Sequence, residues 1–118
     1  MQVEVVSPER ILFSGEAEMV ICRAAGGDIA FLENHAPFLG ALDTGMVRIQ
    51  RAGQPDEVAA VHGGFVEVRD NRVIILSDVA ELKSQIDVER ARRALSEAGD
   101  DDEAKRRAEV RLEVANAA

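Results

Sequence analysis

The chain has 118 residues, of which 47% are hydrophobic, and its formal net charge is −8. This length fits one compact domain with a small appendage. The negative charge argues against unaided binding to nucleic acid or to anionic lipid, since both require a basic surface. Aromatic residues make up only 3% of the chain, with no Trp or Tyr, which disfavours proteins that stack on bases or sugars.

Short alternating apolar runs, separated by turn residues, fill the first two thirds of the chain and predict strands without helical crossovers. The predicted strands are residues 3–6, 10–14, 16–24, 28–32, 38–42, 46–51, 57–62, 65–69 and 72–77. Among the separators, Asp70-Asn71 suits the positive φ of a tight hairpin. The pattern therefore predicts an antiparallel β-sandwich of about eight to ten short strands.

Two of these strands allow predictions about burial. The run Val73-Ile74-Ile75-Leu76 has no polar alternation, so we expect both of its faces to be covered, one by the second sheet and the other by C-terminal helices. Cys22 alternates with Val20 in another apolar run and is the only cysteine, so no internal disulfide is possible. We expect Cys22 to be a small buried core residue.

After Ser84 the composition changes to that of helices. Asp87 suits an N-cap and Gly99 a helix stop, and between them the apolar residues recur at intervals of three and four. The acidic run at residues 100–102 predicts the start of a second helix, whose two apolar stripes require two covering surfaces. We therefore predict a sandwich domain over residues 1–84 and an antiparallel helical hairpin over residues 85–118.

The N-terminal residues lack the basic start and apolar stretch of a signal peptide. No later segment approaches the roughly 18 uninterrupted apolar residues of a membrane span. These features predict a cytosolic protein without direct membrane insertion, although one that can join a membrane complex through other subunits.

Few residues could carry chemistry. His35 and His62 are the only histidines and neither lies in a metal-binding spacing, so we predict no metal site and no catalytic activity. The backbone amides of His62-Gly63-Gly64 could cradle an anion, although a glycine pair between two strands is more often a bulge or a tight turn.

The two helices carry cations that could face one another and bind a polyphosphate, because guanidinium groups match phosphate oxygens. These cations are Arg90, Arg92, Arg93, Lys105, Arg106, Arg107 and Arg111. The alternative, which we favour, is a solvated face whose charges are balanced by Glu89, Glu97, Glu109 and Glu113.

Seven segments, in this order and spacing, carry a likeness to a known family. They are Val5-Val6-Ser7-Pro8-Glu9-Arg10, Leu12-Phe13-Ser14-Gly15-Glu16, Gly27-Asp28-Ile29-Ala30-Phe31-Leu32, His35-Ala36-Pro37-Phe38-Leu39, Gly63-Gly64-Phe65-Val66-Glu67-Val68, Asp78-Val79-Ala80-Glu81 and Ile86-Asp87-Val88-Glu89-Arg90-Ala91. The chain resembles the epsilon subunit of the F-type (rotary) ATP synthase over nearly its whole length. The resemblance implies a β-sandwich followed by a helical hairpin, in agreement with the pattern.

The resemblance also implies a function. Such a subunit is a non-catalytic, peripheral part of the complex at the cytoplasmic face of the plasma membrane. It binds the gamma subunit at the foot of the central stalk, contacts the membrane c-ring, and reaches the alpha and beta subunits through its helices. It couples proton translocation to ATP synthesis, and its helices restrain ATP hydrolysis.

Two groups of site residues follow from the same resemblance. The loop that faces the rotor ring maps onto Asp28, Glu33 and His35. The family's ATP-sensing motif has Ile or Leu, then Asp, two variable residues, Arg and Ala. The motif is complete in this chain and is preceded by an acidic residue, which implies a regulatory ATP rather than a required cofactor. The candidate ATP-site residues are Glu81, Ile86, Asp87, Arg90 and Ala91.

A hypothesis of a different class is a free-standing β-sandwich module that binds a small anionic ligand. Co-purification with the large subunits of an ATPase would separate this hypothesis from the rotor subunit.

Overall fold

The computed structural model describes residues 1–117 and shows a β-sandwich followed by two helices, which confirms the predicted fold class. The strands are β1 Gln2–Val6, β2 Ile11–Glu16, β3 Met19–Ala24, β4 Gly27–Leu32, β5 Phe38–Ala41, β6 Thr44–Gln50, β7 Glu57–His62, β8 Phe65–Arg69, β9 Arg72–Leu76 and β10 Ala80–Leu82. A short 3-10 helix, Lys83–Gln85, leads into helices α1 (Val88–Glu97) and α2 (Asp102–Ala115).

The strands form two five-stranded sheets. The first sheet has the order β2-β1-β9-β8-β5 and the second has the order β10-β7-β6-β3-β4. Each strand alternates inward and outward side chains, as in β1, where Val3 and Val5 are buried and Glu4 between them is not. The inward residues of both sheets form one core, in which Phe31, Ile49 and Ile75 are fully buried.

The strand pairs agree with the prediction of antiparallel sheets except at one place. Strand β1 is parallel to β9, with Val3 opposite Val73. Turn residues reveal only pairs that are neighbours in sequence, whereas a parallel pair needs a long connection, so the pattern did not predict this contact. The β8–β9 turn is as predicted, since Asp70 and Asn71 have φ values of 51° and 57°.

Most strand bounds differ from the prediction by one or two residues, and two regions differ further. The predicted strand over residues 16–24 is shorter, because β2 extends to Glu16 and β3 begins at Met19. The tenth strand, Ala80–Leu82, was not predicted. It has only three residues, too few for an alternating pattern to be recognised, and it pairs with β7.

Both helices begin where the sequence predicted, α1 at the predicted cap Asp87 and α2 within the acidic run at residues 100–102. The Asp87 carboxylate accepts a hydrogen bond from the backbone N–H of Arg90, and Asp101 caps α2 through the N–H of Ala104. Gly99 follows α1 with φ of 57°, a conformation that favours glycine. The predicted helical stops and starts are therefore confirmed.

Helix α2 lies between α1 and strands β6 and β7. Val110 and Val114 of α2 pack with Val58 and Ala60 of β7 in a second apolar cluster. The expectation that α2 needs two covering surfaces is confirmed, and these surfaces are α1 and the second sheet.

The prediction that helices cover β9 is wrong. Val73 and Ile75 are buried in the sandwich, but Leu76, on the opposite face of β9, is exposed. The helices cover β7 instead, where Val58 to Val61 are all buried. Both strands carry unbroken apolar runs, and such a run does not show whether the chain itself or a partner covers the second face.

The two ends of the sandwich carry different loops, which we call the His62 end and the Asn71 end. The His62 end holds the β3–β4 turn and the Gly63-Gly64 turn between β7 and β8. A Cβ atom on Gly64 would lie 2.1 Å from the backbone oxygen of Leu76, so the close packing at this position requires glycine. The Asn71 end holds the β8–β9 turn and the β4–β5 loop at residues 33–37.

Cys22 lies in the core between the sheets, as predicted. Burial, with a smaller contribution from the charge of Asp28, raises the pKa of the Cys22 thiol to about 11. The thiol is therefore protonated and chemically inert in the folded protein.

Candidate functional site

Four of the five candidate ATP-site residues line one cleft where the hairpin meets the second sheet. The cleft has a volume of about 340 Å³. It is lined by Glu81, Gln85, Asp87, Arg90, Ala91, Ala94 and Arg111. The lining residues thus come from four elements: strand β10, the 3-10 helix, the first turns of α1 and the middle of α2.

The fifth candidate, Ile86, lies behind the cleft. It is half-buried and packs against the apolar cluster formed by Val58, Ala60, Val110 and Val114. Its side chain therefore anchors the start of α1 and does not line the cleft.

Asp87 and Arg90 occupy the first turn of α1. The cap bond from Arg90 N to Asp87 Oδ1 measures 3.1 Å, so the carboxylate already serves the helix. The Arg90 side chain is exposed at the cleft, and within residues 1–117 its guanidinium forms no ion pair. Arg90 is thus the cation of the cleft that is free to meet an anion.

Glu81 is the centre of a partly buried network. Its Oε1 atom accepts a hydrogen bond from Arg111 Nε at 2.6 Å and lies 3.2 Å from His62 Nε2. Because Arg111 neutralises Glu81, an anion that enters the cleft would have to share Arg111 with this carboxylate.

The cleft carries charged side chains of both signs. Two arginines and two carboxylates line it, so its formal charge is zero. The Arg90 guanidinium, which is exposed at the cleft, can hold a phosphate group by charge-assisted hydrogen bonds.

The helix cations lie in two different settings. Arg92 pairs with Glu89 at 2.9 Å and Arg107 with Glu103 at 3.9 Å, as expected for a solvated, balanced face. Arg90 and Arg111, by contrast, face the cleft.

Sequence reasoning named Arg111 only as one of seven helix cations that could bind a polyphosphate, and it did not indicate Gln85. Arg111 contacts Glu81 of β10, thirty positions earlier in the chain, and no local spacing indicated this contact. The Gln85 side chain accepts a hydrogen bond from the backbone N–H of Leu82 at 2.9 Å, a local turn contact that no motif indicated.

The three candidate ring-contact residues do not lie together. Asp28 is near the start of β4, at the His62 end, where it pairs with Arg23 at 3.4 Å. Glu33 and His35 follow the end of β4, at the Asn71 end, and five steps along an extended strand span about 16 Å.

The loop that carries Glu33 and His35 is held by several contacts. Glu33 lies 3.3 Å from the amino group of Met1, and the Asn34 N–H donates to Asn71 Oδ1 at 2.8 Å. The His35 ring meets the Phe31 ring edge to face, with 5.0 Å between the ring centres. A surface that includes all three candidates must run along β4, which is the edge strand of the second sheet.

Residues 1–117 contain no group of three or more His, Cys, Asp or Glu side chains placed to hold a metal ion. In the same residues, neither helix is both long and apolar enough to cross a membrane.

Comparison with known proteins adds independent findings. Residues 1–83 match the family model of the ATP synthase delta/epsilon chain beta-sandwich domain. The ATP synthase epsilon chain of Streptomyces griseus is 45% identical over 114 residues, which cover 95% of this chain and 92% of the relative. The epsilon chain of Thermobifida fusca is 48% identical over 118 residues, covering 98% of this chain and 85% of the relative.

Solved structures show the same fold. A chain of the Euglena gracilis mitochondrial ATP synthase, in a structure of its OSCP, F1 and c-ring parts, superposes with a TM-score of 0.73 and 23% identity over 95% of this chain and 74% of that chain. A chain of the Tetrahymena thermophila central stalk and c-ring gives a TM-score of 0.59 and 17% identity over 72% of this chain and 68% of that chain.

The family match covers well over half of the chain, and the relatives extend the likeness through the hairpin. These relatives are subunits of a complex, which argues against the hypothesis of a free-standing module. The chain belongs to the family of ATP synthase epsilon chains.

Proposed function

We propose that this chain links the gamma subunit of the central stalk to the membrane c-ring, as a non-catalytic subunit at the cytoplasmic face of the plasma membrane. In this position it couples proton translocation to ATP synthesis. Membership of the epsilon-chain family supports the proposal, and so do the printed descriptions of the structural neighbours, which are assemblies of F1, central stalk and c-ring.

The observation that carries the proposal is the uncovered outer face of the first sheet. Paired residues of four neighbouring strands place Ile11, Val6, Leu76 and Phe65 in one row across this face. Three of them are large and exposed, with Ile11 at 60%, Leu76 at 48% and Phe65 at 56%. Leu39 of β5 lies on the same face and is 70% exposed.

An apolar face of this kind marks a site for a protein partner, because contiguous apolar surface is costly to leave in water. The hairpin covers the other sheet and leaves this face free. Glu67 pairs with Leu39 across β8 and β5, so the apolar row is bordered by negative charge. The gamma subunit, with an apolar contact patch and cations at its rim, is the occupant that we propose.

The contact with the c-ring is the second part of the proposal. Asp28, Glu33 and His35 mark the two ends of edge strand β4, and a ring contact along this strand would take in all three. Their exposed polar side chains lie in or beside turns, where binding residues commonly occur.

The hairpin is the third part. We propose that it restrains ATP hydrolysis by reaching the alpha and beta subunits, and that a regulatory ATP in the cleft holds it against the sandwich. The attachment of the hairpin chiefly through one face of α2 supports this role, because one helix face is easier to release than a shared core.

The proposal is tested by binding of purified gamma subunit to three forms of the full chain. Leu76→Glu places a charge in the apolar row and should weaken binding about tenfold or more, as expected for a buried interface residue. Leu32→Glu is the matched control, because Leu32 is 58% exposed but lies on β4 of the other sheet. Equal binding by the parent and Leu76→Glu would contradict docking through this face.

A further inference from the structure

A buried histidine connects the sandwich to the hairpin. We propose that His62 is a pH-sensitive latch, which holds α2 against the sandwich while its ring is neutral and releases α2 when the ring is protonated. The latch is a property of the chain by itself and goes beyond the proposed rotor role.

The latch is built from three elements. His62 ends β7, Glu81 lies in β10 and Arg111 lies in α2. The His62 side chain is only 3% exposed, and its Nε2 atom lies 3.2 Å from Glu81 Oε1. Because a carboxylate only accepts, the neutral ring carries its proton on Nε2 and donates it to Glu81. Glu81 in turn accepts from Arg111, so the network joins both strands to the helix.

The second ring nitrogen makes protonation unfavourable. His62 Nδ1 is buried and has no hydrogen-bond partner within residues 1–117. In the neutral ring this atom is an acceptor. Protonation would convert it into a buried donor without an acceptor, beside the Arg111 cation that already pairs with Glu81.

The charged groups around His62 come from each element packed on it. Helix α2 supplies the cations Arg111 and Arg107, and β10 supplies Glu81. An adjoining cleft of about 350 Å³ adds further groups at the start of α2. It is lined by Thr44, His62, Asp102, Glu103, Arg106 and Arg107.

Burial and the cations together affect the pKa of His62 more than the Glu81 carboxylate does. Burial, followed by the charge of Arg111, lowers the pKa of His62 below its ordinary value, while Glu81 opposes this shift. When α2 leaves, His62 loses both its cover and the two cations, so its pKa returns toward about 6.5.

The direction of the pH effect follows from this difference. The docked state binds fewer protons than the released state, so docking is at full strength above pH ~6.5 and weakens as the pH falls below that value. Docking of α2 weakens no further once the pH has fallen below the lowered pKa of His62 in the docked state. The docking equilibrium should change by about tenfold for each unit by which docking lowers this pKa. On the basis of the proposed function, acidification would free the helices to act on the rest of the complex.

The test uses the isolated full-length chain between pH 7.5 and 5.0. Nuclear magnetic resonance follows the two histidine rings, and amide hydrogen exchange, corrected for its intrinsic pH dependence, follows residues 108–114 of α2. His62→Gln retains a side-chain donor for Glu81 but cannot be protonated. His35→Gln is the matched control, because His35 is the other histidine and is exposed.

We expect His62 to titrate below the ordinary histidine value of about 6.5, and protection of α2 to fall several-fold as the pH decreases in the parent and in His35→Gln but not in His62→Gln. A His62 that titrates at or above about 6.5 would overturn the latch, and this measurement needs no variant. A fall in protection that is the same in His62→Gln as in the parent would also overturn it. No gamma subunit is present, so either failure leaves the proposed rotor function untouched.

Discussion

The sandwich and the hairpin differ in how they are held. The sandwich has a continuous core to which both sheets contribute, including the fully buried Phe31, Ile49 and Ile75. The hairpin meets the sandwich through one face of α2, chiefly Val110 and Val114, while α1 packs on α2. The core of the sandwich thus forms without side chains from the hairpin.

This difference separates docking from regulation. Burial of Val110 and Val114 contributes about 1.5–3 kcal/mol each, before the entropy of ordering two helices is subtracted. The sandwich core buries many more side chains of this size. Opening of the hairpin should therefore cost less free energy than global unfolding, as a regulatory element requires.

The largest effect is expected from a core substitution. Phe31→Ala should lower the free energy of unfolding by about 3–5 kcal/mol, because it leaves a cavity between the sheets. Val110→Ala should lower the free energy of opening the hairpin by about 2 kcal/mol and leave the stability of the sandwich unchanged. Urea unfolding measures the first change and amide hydrogen exchange the second. Equal loss of protection in the sandwich and the hairpin of Val110→Ala would show that they form one cooperative unit.

The next effect concerns the cleft. If ATP binds there, it should stabilise the parent by up to ~2.7 kcal/mol at about 100 times the dissociation constant. Arg90→Ala should abolish this gain, because a methyl group cannot replace a charge-assisted contact to phosphate. Arg92→Ala should retain it, since Arg92 pairs with Glu89 and does not line the cleft. Thermal melts with and without millimolar ATP decide the matter, and an unchanged parent melt would exclude the ATP site.

The smallest effect separates the two roles of Asp87. As an N-cap, Asp87 contributes ~1 kcal/mol of stability with or without ATP. Asp101→Ala removes the equivalent cap of α2, outside the cleft, and serves as the control. If Asp87 also supports the ligand, Asp87→Ala should reduce the ATP-induced shift in the same melts, whereas Asp101→Ala should not. Identical shifts in the two variants would leave Asp87 as a cap alone.

The sequence was sufficient for features that depend on local geometry. Alternation predicted the strands, Asp70-Asn71 predicted a turn with positive φ, and Asp87 and Gly99 marked the ends of α1. These residues act on their own backbone, so their effect does not depend on distant parts of the chain.

Features that depend on distant contacts could not be predicted in this way. Strands β7 and β9 carry similar unbroken apolar runs, yet of these two strands the hairpin covers β7 and not β9. The network of His62, Glu81 and Arg111 joins residues up to 49 positions apart, and no spacing rule connects them. The ATP-site candidates came from resemblance, and the structure brings four of the five to one cleft.

The most direct test of the division between docking and regulation is the binding of residues 1–85 to purified gamma subunit, measured by calorimetry beside the full chain. The fragment retains β10 and the 3-10 helix but lacks both α-helices. If the sandwich alone carries docking, the fragment should unfold cooperatively and bind gamma with a dissociation constant within about threefold of the full chain, a difference below 1 kcal/mol. A folded fragment that no longer binds gamma would contradict the account.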